Sequence, residues 1–334
     1  MSDSRFTLSE SPDPAGGSSN CEGGSECCQN VSVDGSDSPK TDGAGEPCPT
    51  PLMWQEIRER FLQDGDFWEL ERGPHQLVGR TWGQGRPLYF LNNFAATSEL
   101  FALTVWLLRD QFQCVVYDTF ARTDSALTRK SIPAISEFTE DLIAVADAHG
   151  DDKLIVYGAA FGAAIALQTA LSHPQRLERM VLQHGFAVRR LSFFERTLAS
   201  VCIRSRGTLN SLPQRRRFQA VNHQPWFPPY DHSRFEFLVE STGHLSLRDL
   251  ARRSWAVNSF DVVSRLGDIG TPTMLLRTEG EGKVAAESQE VLEARLKHCR
   301  TEWMHSAGQH PYLTHPHRVA KLIQAFCDSD SGQE

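Results

Sequence analysis

At 334 residues, 40% apolar and 23% charged, the chain can bury a full core, and its composition is ordinary for a globular protein. Fibrous and low-complexity classes are excluded. The net charge of −8 is concentrated in residues 1–50, where nine acidic residues face only Arg5 and Lys40. A near-neutral remainder argues against a nucleic-acid partner. No apolar run reaches membrane-spanning length and the first residues lack an apolar signal core, so a cytoplasmic protein without a transmembrane segment is expected.

Residues 1–50 are rich in Ser, Gly and Pro and poor in large apolar side chains. Burial cannot offset the ordering entropy of such a segment, so it is predicted to be a disordered acidic tail. Four of the eight cysteines lie there (Cys21, Cys27, Cys28, Cys48) without C-x-x-C spacing or an accompanying histidine, so reduced thiols are expected and no metal site or cofactor.

A single domain is predicted over 51–330. Trp54, Ile57, Phe61 and Leu62 recur at helical spacing. Gln76–Trp82 and Pro87–Leu91 read as strands joined by Gly83-Gln84-Gly85. Thr97 or Ser98 caps a helix through Leu100, Leu103, Trp106 and Leu107, and Phe112–Tyr117 is a buried strand ending in Asp118. Ile132–His149 is a helix. Lys153–Gly158 is a strand followed by a turn and a helix that ends at His173-Pro174, and Leu177–Gln183 is one more strand. From 186 to about 255 no strand pattern appears. Alternation returns with Pro272–Thr278, a helix over Val284–Leu296, Thr301–His305, and a helix over His317–Cys327. Strands alternating with helices imply a mostly parallel sheet with helices on both faces.

The turn Gly158-Ala159-Ala160-Phe161-Gly162 sits between strand and helix, the context of the Gly-x-Ser-x-Gly nucleophile elbow, with Ala160 in the serine slot. A methyl group cannot attack a carbonyl, so covalent catalysis at Ala160 is excluded.

Together with Pro87–Leu91, the Trp255–Ser259 to Ile269–Thr273 stretch and Gly308-Gln309-His310-Pro311-Tyr312-Leu313, this turn resembles the α/β-hydrolase superfamily over about Trp54 to Cys327. Within it the chain is most similar to maspardin-like members, regarded as lacking the triad. The resemblance implies an α/β-hydrolase fold whose helical cap is inserted at about 186–255. It implies the acid near Glu281, with Glu279 beside it, and Gln309 in the histidine slot with His310 adjacent. It also implies backbone oxyanion donors at Phe161 and at Phe94, in the Asn92-Asn93-Phe94 loop. His184, flanked by Gln183 and Gly185, ends a strand where ligand contacts cluster in such sheets.

The degenerate triad positions Ala160, Glu281 and Gln309 point to a binding or adaptor protein. Its ligand-contact candidates are Asn92, Asn93, Phe94, Phe161, His184 and His310. The alternatives are a hydrolase of altered mechanism, using His310 or His184 with Glu281 to activate water, and a small-molecule sensor. The expected partner is a protein or a small molecule in the cleft. The cap segment carries twelve arginines against five acids between Arg189 and Arg253, including Arg215-Arg216-Arg217 beside Phe218. A solvated surface is the plainer reading. An acidic protein or anionic-lipid contact is the sharper one, and the acidic tail docking on this basic face is a further possibility.

Overall fold

The computed structural model describes residues 53–72, 75–118 and 132–329. The tail predicted for residues 1–50 lies outside them. The apolar runs pair into one eight-stranded sheet: β1 (Asp66–Arg72), β2 (His75–Trp82), β3 (Arg86–Leu91), β4 (Phe112–Asp118), β5 (Leu154–Ala159), β6 (Leu177–Gln183), β7 (Thr273–Thr278) and β8 (Cys299–Met304). Their spatial order is β1-β2-β4-β3-β5-β6-β7-β8. The β1–β2 and β2–β4 pairings are antiparallel, and the other pairings are parallel.

The helices are α1 (Trp54–Asp64), α2 (Ala102–Leu108), α3 (Ile135–His149), α4 (Phe161–Ser172), α5 (Phe193–Cys202), α6 (Arg215–His223), α7 (Ser233–Gly243), α8 (Leu247–Ser259), α9 (Lys283–Arg295), α10 (Pro311–Thr314) and α11 (Pro316–Asp328). Side-chain alternation along the strands divides the core in two. Phe90, Val116, Tyr157 and Leu276 pack with α1, α2 and α11 on one face. Tyr89, Val115, Val156 and Leu275 pack with α3 and α4 on the other. Burial on both faces explains why β5 is apolar almost throughout and why β7 is buried at every position.

Two features depart from the sequence reading. Strands β2 and β3 are adjacent in sequence, but β4 lies between them, paired to both. Strand β1 was not foreseen, because as an edge strand it leaves Asp66, Glu69 and Glu71 in solvent and so lacks a buried-strand signature.

Between β6 and β7 lie α5 to α8. Helices α7 and α8 bury apolar stripes against the domain, whereas α5 buries only Ala199 and α6 buries no residue fully. The Trp226 ring anchors this cap on the domain. It lies so close to Gly280 and Gly308 that an added Cβ at either would come within 2.3 and 2.5 Å of it. Trp54 ties α1 to the cap, stacking on Phe237 at 4.5 Å and donating to Ser233 Oγ at 2.6 Å.

Candidate active site

The chain reverses at the end of β5 through a strained residue. Ala160 has φ +46° and ψ −94°, a conformation that costs an L-residue about 1–3 kcal/mol. The turn is held from both sides: the Ala160 N–H donates to Gln183 O at 2.7 Å, and the Gly162 N–H donates to Asn92 O at 3.0 Å. Steric space dictates the two glycines. A Cβ on Gly162 would stand 2.2 Å from Leu91 O, and one on Gly158 would stand 2.7 Å from the Gly162 backbone. The elbow is therefore complete in backbone and lacks only the nucleophilic oxygen.

The elbow opens into a cavity of about 680 Å³ under the cap. Asn93, Phe94, Ala160, His184 and His310 line its floor, and the cap contributes leucines such as Leu198, Leu212 and Leu250 together with the polar Gln219 and His223. Such a site, apolar with a few convergent polar groups, is what small-molecule pockets generally look like.

Of the two histidine-slot candidates, His310 is buried and Gln309 is exposed. Gln309 serves through its backbone, its carbonyl accepting from Gln183 Nε2 at 2.9 Å. The His310 Nδ1 lies 2.8 Å from Tyr312 Oη and 3.5 Å from Asn93 Nδ2. Its Nε2 makes no hydrogen bond among the described residues. Burial, with His223 and His184 as neighbours, holds His310 well below the ordinary histidine range, so the ring is neutral at pH 7.

His184 is different. Its Nε2 is 2.8 Å from Thr278 Oγ1 and its Nδ1 is 3.1 Å from Gln183 Nε2, so both ring nitrogens are engaged. Burial lowers its pKa to about 4. It braces the strand ends and is not placed to act as a base.

Glu281 is drawn into another pair. Its Oε1 accepts from Arg277 Nη2 at 2.8 Å and Nε at 3.2 Å, and its Oε2 accepts from the Thr278 N–H at 3.4 Å. Both partners of this ion pair are buried. The expected pairing of Glu281 with His310 or His184 is not formed, and the carboxylate instead pairs with Arg277, four residues earlier near the end of β7. Glu279 accepts from the Ser306 N–H at 2.9 Å, at the surface.

The Asn92-Asn93-Phe94 loop is pinned by a residue that sequence reasoning did not single out. Arg253 on α8 is buried and donates from Nη1 to Phe94 O at 2.6 Å. Its guanidinium lies 5.8 Å from the centroid of the Phe161 ring. Burial lowers its pKa to about 10, so it stays charged. The N–H groups of Phe94 and Phe161 have no acceptor among the described residues, as expected of an oxyanion nest. Asn92, expected to contact ligand, instead turns its side chain away to Tyr117 O and Asp118 Oδ1, both at 3.3 Å. The Phe161 ring is buried in the core against Phe94 and Phe138, so only its backbone N–H is left for the role that the resemblance implies.

His223, at the end of α6, was also missed. Its ring meets His310 edge to face at 4.9 Å, and its buried Nδ1 has no hydrogen-bond partner, nor has Oε1 of Gln219 one turn earlier. The only sequence signal was the four-residue spacing that puts Gln219 and His223 on one helix face. Nothing in the sequence showed that this face meets the cavity.

A capped, mostly parallel sheet with a nucleophile-elbow turn and a histidine beside it defines an α/β-hydrolase-fold protein. The family model for the α/β hydrolase fold matches residues 86–316, and the chain belongs to that family. Among curated proteins it is similar to "Putative carbamate hydrolase RutD" of Cronobacter turicensis, 27% identical over 226 residues that cover 65% of this chain and 82% of that protein. Among solved structures it is similar to a hydrolase from Pseudomonas aeruginosa PA01, at 19% identity and TM-score 0.68, covering 78% of this chain and 98% of that one. The enol-lactonase from Burkholderia xenovorans LB400 is similar at 16% identity and TM-score 0.67, covering 78% and 99% respectively.

Proposed function

We propose that the protein is a hydrolase of altered mechanism. It cleaves a small carbonyl compound with an apolar substituent, using water activated at His310 and no acyl-enzyme. The observation that carries this is the neutral, buried His310, whose free Nε2 lies on the cavity shared with Ala160 while Nδ1 is held by Tyr312. The similarity to proteins named as hydrolases, RutD among them, supports the reading. So does the retention of a strained elbow that folding alone does not require.

This mechanism requires the tautomer in which Nδ1–H donates to Tyr312 Oη, which leaves the Nε2 lone pair as base. Nε2 removes a proton from water as the water oxygen adds to the carbonyl carbon. The N–H groups of Phe94 and Phe161 receive the developing oxyanion. Collapse expels the leaving group, which takes the proton back from the imidazolium. No carboxylate supports that imidazolium, so turnover is slow compared with a triad enzyme.

A second reading is a binding or adaptor protein of the maspardin kind, or a small-molecule sensor. It is favoured by the same missing carboxylate together with the Ala160 methyl. The test is turnover of p-nitrophenyl esters and a carbamate ester by the purified chain and by His310→Ala. Slow turnover that a serine-directed phosphonate leaves untouched and that falls at least about tenfold in His310→Ala is expected. Equal turnover in both proteins would sink the base assignment. Saturable ligand binding without turnover would establish the second reading.

A further inference from the structure

The outer cap helices α5 and α6 are clothed the wrong way round for a surface surrounded by water. Phe193 is 79% exposed, Phe194 74%, Val201 67%, Phe218 63% and Val221 70%. Most soluble proteins avoid concentrating large apolar side chains in this way, and such patches mark interaction sites. On α5, Phe194, Leu198 and Val201 follow helical spacing and form one stripe. The stripe is continuous with the cavity, because Leu198 and the exposed Leu212 both line it.

The charge around the stripe has one sign. Residues 193–226 contain six arginines and a single acid, Glu195, which pairs with Arg189. Arg215 and Arg216 are used within the cap, donating to Thr242 Oγ1 and Glu236. Arg196, Arg204, Arg206 and Arg217 are exposed and form no ion pair among the described residues. Both helices border the cavity, and the exposed aromatic and aliphatic side chains and unpaired arginines that they carry match a surface that lies in a lipid headgroup layer, apolar groups inserted and cations on phosphates.

We propose that the α5–α6 face of the cap docks on an anionic membrane surface, with the cavity mouth at Leu198 and Leu212 turned toward the lipid. Charge complementarity selects this occupant: four unpaired arginines with no exposed unpaired acid among them suit phosphate headgroups. The proposal does not depend on the catalytic reading. Each arginine removed from such a surface weakens binding by about fivefold.

Vesicle co-sedimentation of the full chain tests it, with phosphatidylcholine vesicles and with vesicles that also contain phosphatidylserine. Two variants remote from the cavity chemistry are compared, F194S/V201S and R196E/R217E, after their melting temperatures are checked against the parent. Expected is salt-sensitive binding to phosphatidylserine vesicles alone, weakened at least about tenfold in both variants. No binding to phosphatidylserine vesicles overturns the proposal. Loss in the arginine variant only, with F194S/V201S unchanged, overturns insertion and leaves simple electrostatic adsorption. If the parent sediments as a dimer without lipid and F194S/V201S does not, the patch is a contact between copies and the proposal fails.

Discussion

Ala160 and His310 set what this site can do, and neither acts alone. Restoring the oxygen with Ala160→Ser adds a nucleophile next to a histidine whose Nδ1 rests on a phenol instead of a carboxylate. A triad histidine needs that carboxylate for orientation and for the charge it acquires. Ala160→Ser is therefore expected to change p-nitrophenyl ester turnover by less than about tenfold, with no acyl-enzyme burst; a large burst would mean that the base is already competent. Glu281 belongs to stability. Glu281→Ala leaves the buried Arg277 with only the longer 3.7 Å pair to the half-exposed Glu293 and the Trp303 ring, and should cost about 3 kcal/mol in urea unfolding, with the pH profile of any turnover unmoved. A shifted profile would return Glu281 to the chemistry.

Among the elements, the inner cap helices α7 and α8 pack into the domain core, and Trp226 adds a close contact beyond them. Gly308 and Gly280 are small because the indole lies on them. Gly308→Ala forces the ring off the loop after β8, since its Cβ would meet Trp226 Cγ at 2.5 Å. We expect a loss of about 1–3 kcal/mol, and faster amide exchange confined to α6 and the Trp226 turn, where α6 itself buries no residue. Uniformly faster exchange across the sheet would show that the cap and the domain unfold as one unit. Helix α4 illustrates the opposite extreme. Ala163, Ala164 and Ala166 let it sit hard against the sheet, and that fixes the position of the elbow at its N-terminus.

For the whole molecule, two buried neutral histidines tie stability to pH. His184 and His310 both have folded pKa values below the ordinary 6.5. Above pH 6.5 neither the folded nor the unfolded state binds the proton, so they add no pH dependence. As pH falls from 6.5 toward about 4, the unfolded chain is protonated first and stability is lost across that window. For His184 the interval between 6.5 and about 4 corresponds to about 3 kcal/mol. Urea unfolding at about pH 7 and about pH 5 should show the drop, and His184→Gln should make it smaller, leaving the part due to His310. The same slope in His184→Gln would assign the loss to other groups. Any turnover through His310 should likewise stay level at neutral pH and fall only in acid, because a free base with a depressed pKa is lost only there.

The local sequence determined the fold class, the elbow and the missing nucleophile. Apolar runs bounded by Gly and Pro specify strands through short-range sterics, and two glycines around Ala160 specify a turn through close backbone approach. The sequence could not assign the catalytic partners, because those pairings join residues far apart in the chain. Tertiary packing buried His310 and left Gln309 exposed beside it on the same cavity, brought His223 from α6 against His310, and clamped the Phe94 loop with Arg253. Such contacts depend on how the cap settles on the sheet, and side-chain direction there follows from burial and neutralisation that no local pattern encodes.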